Sequence, residues 1–73
     1  MTSTGTSMAI TVNGEVRDLP AGTTVAGLVV ALGLPDRGIA VAVGGFVVPC
    51  GSWDATALHA DDTVEIVTAV QGG

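Results

Sequence analysis

Apolar and small or polar residues alternate near the start of the chain, and this period of two is typical of a half-buried strand. The apolar positions of this strand are Met8, Ile10 and Val12. Asn13-Gly14 follows, and this dipeptide favours a type I′ hairpin turn because both central positions need a positive φ. The return strand is predicted over 15–19. Its apolar residues Val16 and Leu19 lie three apart, which favours a bulge or an early end of the strand.

A helical period replaces the alternation in the middle of the chain. Apolar residues at i, i+3, i+4 and i+7 form one face of a predicted helix, and they are Val25, Leu28, Val29 and Leu32. Thr23 or Thr24 can cap its start by accepting a backbone N–H bond. Gly33 suits the left-handed position beyond its end, and Pro35 prevents continuation. The sequence therefore predicts one short, well-delimited helix.

Two further apolar runs, at positions 39–43 and 46–48, flank Gly44-Gly45 and predict a second hairpin that Pro49 closes. The segment from 49 to 59 is predicted to be irregular, with Trp53 and Leu58 anchoring it to the core. A turn at positions 61–62 leads into a last strand over 63–70.

The order hairpin, helix, hairpin, loop and strand determines the expected architecture. A last strand that pairs in parallel with the first hairpin gives a mixed sheet of four to five strands with one helix packed across it. This is an α+β arrangement, the β-grasp or ubiquitin-like fold. We expect residues 1–7 to be a disordered leader and residues 8–73 to be one domain, whose flexible C-terminal tail covers about 68–73.

Composition narrows the function classes. Aromatic residues make up only 3% of the 73 residues, so the core must be built from aliphatic side chains. The formal net charge is −5, and Arg17 and Arg37 are the only basic residues apart from the single histidine. Binding to nucleic acid by neutralising phosphates is therefore excluded. The acidic body favours a partner with a basic face or serves solubility alone, and both interpretations stay open.

Chemistry-bearing side chains are few. Cys50 is the only cysteine, and we interpret it as a spectator thiol, because no basic residue stands near it in sequence. His59 is the only histidine and is expected to be exposed in a loop. Neither has an evident base beside it, so we predict that the chain is not an enzyme, that it has no metal site and that it binds no cofactor itself. With no signal peptide or membrane span in the sequence, we expect a cytoplasmic location.

The chain ends in Val70-Gln71-Gly72-Gly73. Two terminal glycines make a thin backbone that can enter a narrow slot, since neither carries a Cβ atom. Glu65 is the last charged side chain, so the segment that would enter such a slot is neutral. This ending predicts a C-terminus that another protein receives and modifies.

Four segments resemble the sulfur carrier proteins of the ThiS family. They are ITVNGE at 10–15, LPAGTTV at 19–25, VAVGGFVVP at 41–49 with Trp53 following, and DTVEIVTAVQGG at 62–73. The last is the most specific to the family, and together they extend over most of the chain from Met8 onward. The resemblance implies a β-grasp fold and a role in forming the thiazole of thiamin.

The resemblance also implies a reaction sequence. A ThiF-type adenylating enzyme uses ATP to activate the carboxylate of Gly73, with Val70, Gln71 and Gly72 recognised as the tail. A cysteine desulfurase or another donor then supplies sulfur, which gives a C-terminal thiocarboxylate. Thiazole synthase, ThiG, takes up that sulfur. Two alternatives stay open: a carrier of the molybdopterin synthase small-subunit type, or a ubiquitin-like modifier or interaction module. An apolar strip of the sheet that includes Phe46 or Val48 is a candidate docking surface for partners.

Overall fold

The computed structural model describes residues 7–35 and 37–68. Their elements are, in chain order, β1 (Ser7–Val12), β2 (Glu15–Pro20), α1 (Val25–Ala31), β3 (Ile39–Val43), β4 (Phe46–Val48), a 3₁₀ helix (Cys50–Ala55) and β5 (Thr63–Thr68). The five strands form one sheet in the order β2-β1-β5-β3-β4. β5 runs parallel to β1, and the other neighbouring pairs are antiparallel. The predicted mixed β-grasp sheet is confirmed.

The first hairpin is more regular than the sequence predicts. Its turn has positive φ at both Asn13 (51°) and Gly14 (85°), as a type I′ turn requires. β2 then pairs with β1 at six consecutive positions, so the predicted bulge or early end is wrong. β1 starts one residue earlier than expected, because Ser7, which the sequence analysis assigned to the leader, pairs with Pro20.

The irregular spacing of Val16 and Leu19 has a simple cause. Leu19 lies opposite Met8 and is buried, whereas Val16 lies opposite Thr11 and is exposed. Residues three apart in a strand point to opposite faces of a sheet. The two apolar residues therefore belong to different faces, and no bulge is needed to accommodate them.

Helix α1 begins and ends with the predicted signals. Thr24 is the N-cap, and its Oγ1 accepts a hydrogen bond from the Gly27 N–H at 3.1 Å. At the other end the Gly33 N–H donates to the Val30 carbonyl at 3.0 Å, and the Leu34 N–H donates to the Val29 carbonyl at 3.1 Å. This pair of bonds is a Schellman motif, in which Gly33 adopts the left-handed conformation with φ 70°.

The segment after β4 is more ordered than the sequence predicts, since positions 50–55 form a 3₁₀ helix. Trp53 is buried there, and its Nε1–H donates to the Val48 carbonyl at 2.9 Å, so the predicted anchor is confirmed. Leu58 is also buried, and its N–H donates to the Thr23 carbonyl at 2.8 Å. The Trp53 bond holds the segment to β4, and the Leu58 bond holds it to the residues just before α1.

The core lies between one sheet face and the two helices. The buried side chains are Met8, Ile10, Val12, Leu19, Val25, Leu28, Val29, Val41, Trp53, Leu58 and Val64. All but Trp53 are aliphatic, as the low aromatic content predicts. Among the described residues no polar or charged residue is buried. The core is therefore a purely apolar layer that supports the strand leading to the C-terminus.

Candidate functional site

β5, the last described element, lies in the middle of the sheet. Its start pairs with β1 at Thr63 and Val64, and its other edge pairs with β3 as far as Thr68, which lies opposite Ile39. Residues up to 68 are therefore held in the sheet, including the first position assigned to the tail. The predicted attachment residue Gly73 lies outside the described residues.

The predicted tail-recognition residues Val70, Gln71 and Gly72 also lie outside the described residues. The site can accordingly be described up to its base, which is the end of β5 and the side chains around it. Five residues, 69–73, follow that base in the sequence.

A side-chain amide contacts β5 two residues before its end. The Asn13 Oδ1 accepts a hydrogen bond from the Ile66 N–H at 2.8 Å, and the Asn13 Nδ2 donates to the Ile66 carbonyl at 3.1 Å. Sequence analysis identified Asn13 only as a turn residue. The contact joins positions 53 apart in sequence, so no local pattern could have indicated it.

A cavity of about 240 Å³ lies beside this contact. It is lined by Val12, Asn13, Glu15, Arg17, Leu32, Leu34, Ile66 and Thr68. Arg17 and Glu15 form an exposed ion pair there, with 3.4 Å between Nη2 and Oε1. Exposed pairs of this kind contribute little to stability. The base of the tail is therefore bordered by a small, partly polar depression.

The sheet face turned away from the helices is uncovered and largely apolar. We call the part of this face formed by β3, β4 and β5 the open face and define it by Ala40, Ala42, Val47, Thr63, Glu65 and Val67. Val16 and Asp18 of β2 lie on the same side of the sheet but beyond β1. The register sets Ala40 beside Val67, and sets Ala42 between Val47 and Glu65. Val47 and Val67 are 70% and 61% exposed. Of the six residues, Glu65 alone is charged.

The residues of β4 named for the predicted docking strip, Phe46 or Val48, do not lie on the open face. Phe46 and Val48 lie opposite Val43 and Val41, whose side chains face the helices. Val48 packs against the core, and Phe46 is exposed at the sheet edge. Val47 is the residue of β4 that belongs to the open face. The alternation along β4 would have identified Val47 once Val48 was assigned to the core side.

The remaining candidate side chains stand apart from the tail base. His59 is exposed, as predicted, and its Nδ1 lies 3.9 Å from the Asp62 carboxylate. Cys50 is exposed and lines a second cavity, between α1 and the 3₁₀ helix, with Trp53 and Asp54. No cationic side chain is among the described residues that line this cavity. Cys50 and His59 therefore do not join the end of β5 in one site.

Two further kinds of site are absent from positions 7–35 and 37–68. These positions contain no group of three or more histidine, cysteine, aspartate or glutamate residues that could hold a metal ion. They also contain no helix that is both long and apolar enough to span a bilayer.

The body is a β-grasp domain whose central strand, β5, is followed in the sequence by Gly72-Gly73. Comparison with known proteins defines the class further. Residues 10–73 match the model of the ThiS family. The chain therefore belongs to the ThiS family.

Solved structures agree with this assignment. The crystal structure of the thiamine biosynthesis protein ThiS from Geobacter metallireducens is similar with a TM-score of 0.78 and 29% sequence identity. The match covers 90% of this chain and 100% of that one. A solution structure of a thiamine biosynthesis protein from the same organism has a TM-score of 0.75 and 30% identity, over 90% of this chain and 88% of that one.

A curated relative is much longer than this chain. The chain is 39% identical over 66 residues to a thiazole synthase of Magnetococcus marinus. The match covers 90% of this chain but only 20% of the relative. The chain thus spans about a fifth of the length of the curated protein that it matches.

Proposed function

We propose that the Gly73 carboxylate of this chain is adenylated and then converted to a thiocarboxylate, whose sulfur thiazole synthase incorporates into the thiazole of thiamin. The observation that carries the proposal is that the family match extends through residue 73 and therefore includes Gly72-Gly73. The position of β5 supports it, because the strand directs the chain toward those glycines from the centre of the sheet.

The chemistry requires a partner enzyme. A carboxylate is a poor electrophile, because displacement would expel oxide. Adenylation by a ThiF-type enzyme with ATP joins the Gly73 carboxylate to AMP, releases pyrophosphate and creates a good leaving group. A persulfide formed by a cysteine desulfurase then displaces AMP to give an acyl disulfide, and a thiol reductant cleaves its S–S bond to release the thiocarboxylate. A donor of sulfide would displace AMP and give the thiocarboxylate directly. The resulting thiocarboxylate is a better nucleophile than the carboxylate, as thiolates are among side chains.

The chain itself provides a C-terminal segment that is long enough and narrow enough to enter the partner's site. Five residues, 69–73, span at most about 17 Å when extended, enough for Gly73 to enter a cleft while the body stays outside. The absence of side chains at Gly72 and Gly73 keeps that passage narrow. We place the reaction in the cytoplasm, in keeping with the single cysteine of the chain.

We infer that thiazole synthase docks on the open face. Apolar side chains exposed together mark interaction surfaces, and Val67 lies one residue before the end of β5, so a partner held there is next to the emerging tail. Glu65 and the net charge of −5 favour a partner surface with basic groups around an apolar centre. The relative that carries a similar segment inside a thiazole synthase chain supports this choice of partner.

Removal of the last two residues tests the proposal. We expect the chain truncated after Gln71 to lose all carrier-dependent ATP–pyrophosphate exchange and all sulfur transfer in a reconstituted system with a ThiF-type enzyme, ATP, a sulfur donor and thiazole synthase. Its fold should be unchanged, because 72–73 lie beyond β5. A truncated chain that still supports thiazole formation would refute the proposal. A full-length chain that supplies only molybdopterin synthase would instead favour the alternative acceptor.

A further inference from the structure

A side chain replaces the backbone at one position of the sheet. In a parallel pair, alternate residues of one strand bond through both N–H and C=O to the neighbouring strand. β1 follows this rule toward β5: the Thr11 N–H donates to the Asp62 carbonyl at 2.9 Å. Two residues later the Asn13 N–H donates to the Val64 carbonyl, also at 2.9 Å. The chain then turns into β2, while β5 continues to Ile66 and beyond.

The Asn13 carboxamide supplies the next step of this ladder. It has one carbonyl oxygen and an N–H donor in a plane, like a peptide unit. Its Oδ1 accepts a hydrogen bond from the Ile66 N–H, and its Nδ2 donates one to the Ile66 carbonyl. Both backbone groups that Ile66 presents toward β1 are thus paired, although no backbone of β1 remains opposite them.

The location of this contact gives it a role beyond the hairpin. On its other edge β5 stays paired with β3, through Ala40 opposite Val67 and Ile39 opposite Thr68. On the β1 edge, Asn13 makes the last hydrogen bonds to β5 before the tail among the residues that the structure describes. Loss of the amide would leave the final residues of β5 held by hydrogen bonds on one edge.

We propose that Asn13 is a positioning residue for sulfur transfer: by pairing with Ile66, its side-chain amide sets where the tail begins and in which direction it leaves the sheet. This inference rests on the proposed function. With the amide in place, five residues separate Thr68 from the end of the chain. If β5 separates from Ile66 onward, that length becomes eight.

The expected effect follows from the effective concentration of Gly73 in the partner's site. This quantity falls roughly as the −3/2 power of the length of a connecting segment, so eight residues instead of five cost about twofold. The loss of a fixed direction for the tail lowers this effective concentration further. We expect the kcat of adenylation to fall roughly three- to tenfold. The KM for the carrier should stay within about twofold, because the substitution leaves the surface of the body outside this turn unchanged.

Asn13→Gly is the informative variant, because glycine preserves the positive φ of the turn and removes only the amide. Thr24→Ala is the matched control. It removes the hydrogen bond that caps α1 and so lowers stability without touching β5. A third variant, Asn13→Asp, keeps an acceptor for the Ile66 N–H and loses the donor to the Ile66 carbonyl.

Two readouts are needed, one of them independent of activity. Hydrogen exchange measured by NMR should show the Ile66 amide exchanging roughly tenfold faster in Asn13→Gly than in wild type, relative to amides of β3. The exchange rate of the Ile66 amide in Asn13→Asp should lie between those of wild type and Asn13→Gly. Steady-state adenylation with a ThiF-type enzyme should give the kcat loss in Asn13→Gly and wild-type kinetics in Thr24→Ala.

The outcomes separate the two proposals. If wild type is adenylated and Asn13→Gly is adenylated with the same kcat, the positioning role is wrong and the proposed function stands. Equal loss of kcat in Thr24→Ala would also overturn it, since general destabilisation would then explain the effect. A wild-type chain that is never adenylated would overturn the proposed function and this inference together.

Discussion

The two faces of the sheet contain similar residues but are used differently. On the face toward the helices, Ile10, Val41 and Val64 are almost completely buried. On the open face, Val47 and Val67 are mostly exposed, although Val67 follows Val64 by only three residues in β5. The apolar side chains of one face are buried by packing within the chain, whereas those of the other face remain exposed. The difference implies that the open face is retained for a partner.

The largest effect on stability should come from the core between the sheet and the helices. Leu28→Ala removes a fully buried side chain from the side of α1 that packs on the sheet. We expect the free energy of unfolding to fall by about 2–5 kcal/mol, because the lost burial and the cavity add together. For a domain of this size that is a large share of the total. Urea denaturation monitored by circular dichroism measures it, and a loss below about 1 kcal/mol would contradict the assigned core.

On the open face the same kind of change should affect binding rather than folding. Val67→Asp should weaken binding to thiazole synthase by about 2 kcal/mol, because the carboxylate would be desolvated without a partner. Its cost in unfolding free energy should stay near 1 kcal/mol. Isothermal titration calorimetry measures the binding.

Val30→Asp is the control for that experiment, because Val30 is also strongly exposed but lies on α1. It should bind thiazole synthase as wild type does. Equal weakening by both substitutions would show that added negative charge alone is responsible, and would remove the case for the open face.

A smaller effect is expected at Trp53, whose side chain packs in the core and also donates a hydrogen bond. Trp53→Phe keeps a large ring but removes the Nε1–H that donates to the Val48 carbonyl. We expect a loss of about 1–2 kcal/mol in unfolding free energy, since one hydrogen bond is lost and its acceptor is left without this partner. Thermal unfolding followed by calorimetry tests this, and unchanged stability would make the bond irrelevant.

The smallest effect should occur on β2. Val16→Thr retains the branched shape at a position that is 71% exposed. Both the unfolding free energy and the affinity for thiazole synthase should stay within about 0.5 kcal/mol of wild type. A larger loss of affinity would extend the docking surface across the sheet to β2.

Sequence alone predicted most of the fold because its signals are local. The Asn13-Gly14 turn, the Thr24 cap and the Gly33 terminus each depend on a few adjacent residues, and all three were confirmed. The 3₁₀ helix was missed because its stability derives from Trp53 being packed into the core, which is a tertiary effect. The predicted bulge in β2 was wrong because Val16 was assumed to face inward.

The site was less predictable than the fold. Its predicted tail residues, at positions 70–73, lie outside the described residues, so their role stays a prediction. The open face could be predicted only after the strand register was known, because a shift by one residue exchanges the two faces. The pairing of Asn13 with Ile66 joins the first hairpin to the last strand, and only the folded topology brings them together.

The most direct test of the central claim is the mass of the intact protein. We would incubate the full chain with a ThiF-type adenylating enzyme, ATP and a sulfur donor, and then map the C-terminal peptide by tandem mass spectrometry. We predict a mass gain equal to the replacement of one oxygen by one sulfur, confined to Gly73. An unchanged mass at Gly73, while a known sulfur carrier in the same mixture is converted, would contradict the assignment of this chain as a sulfur carrier.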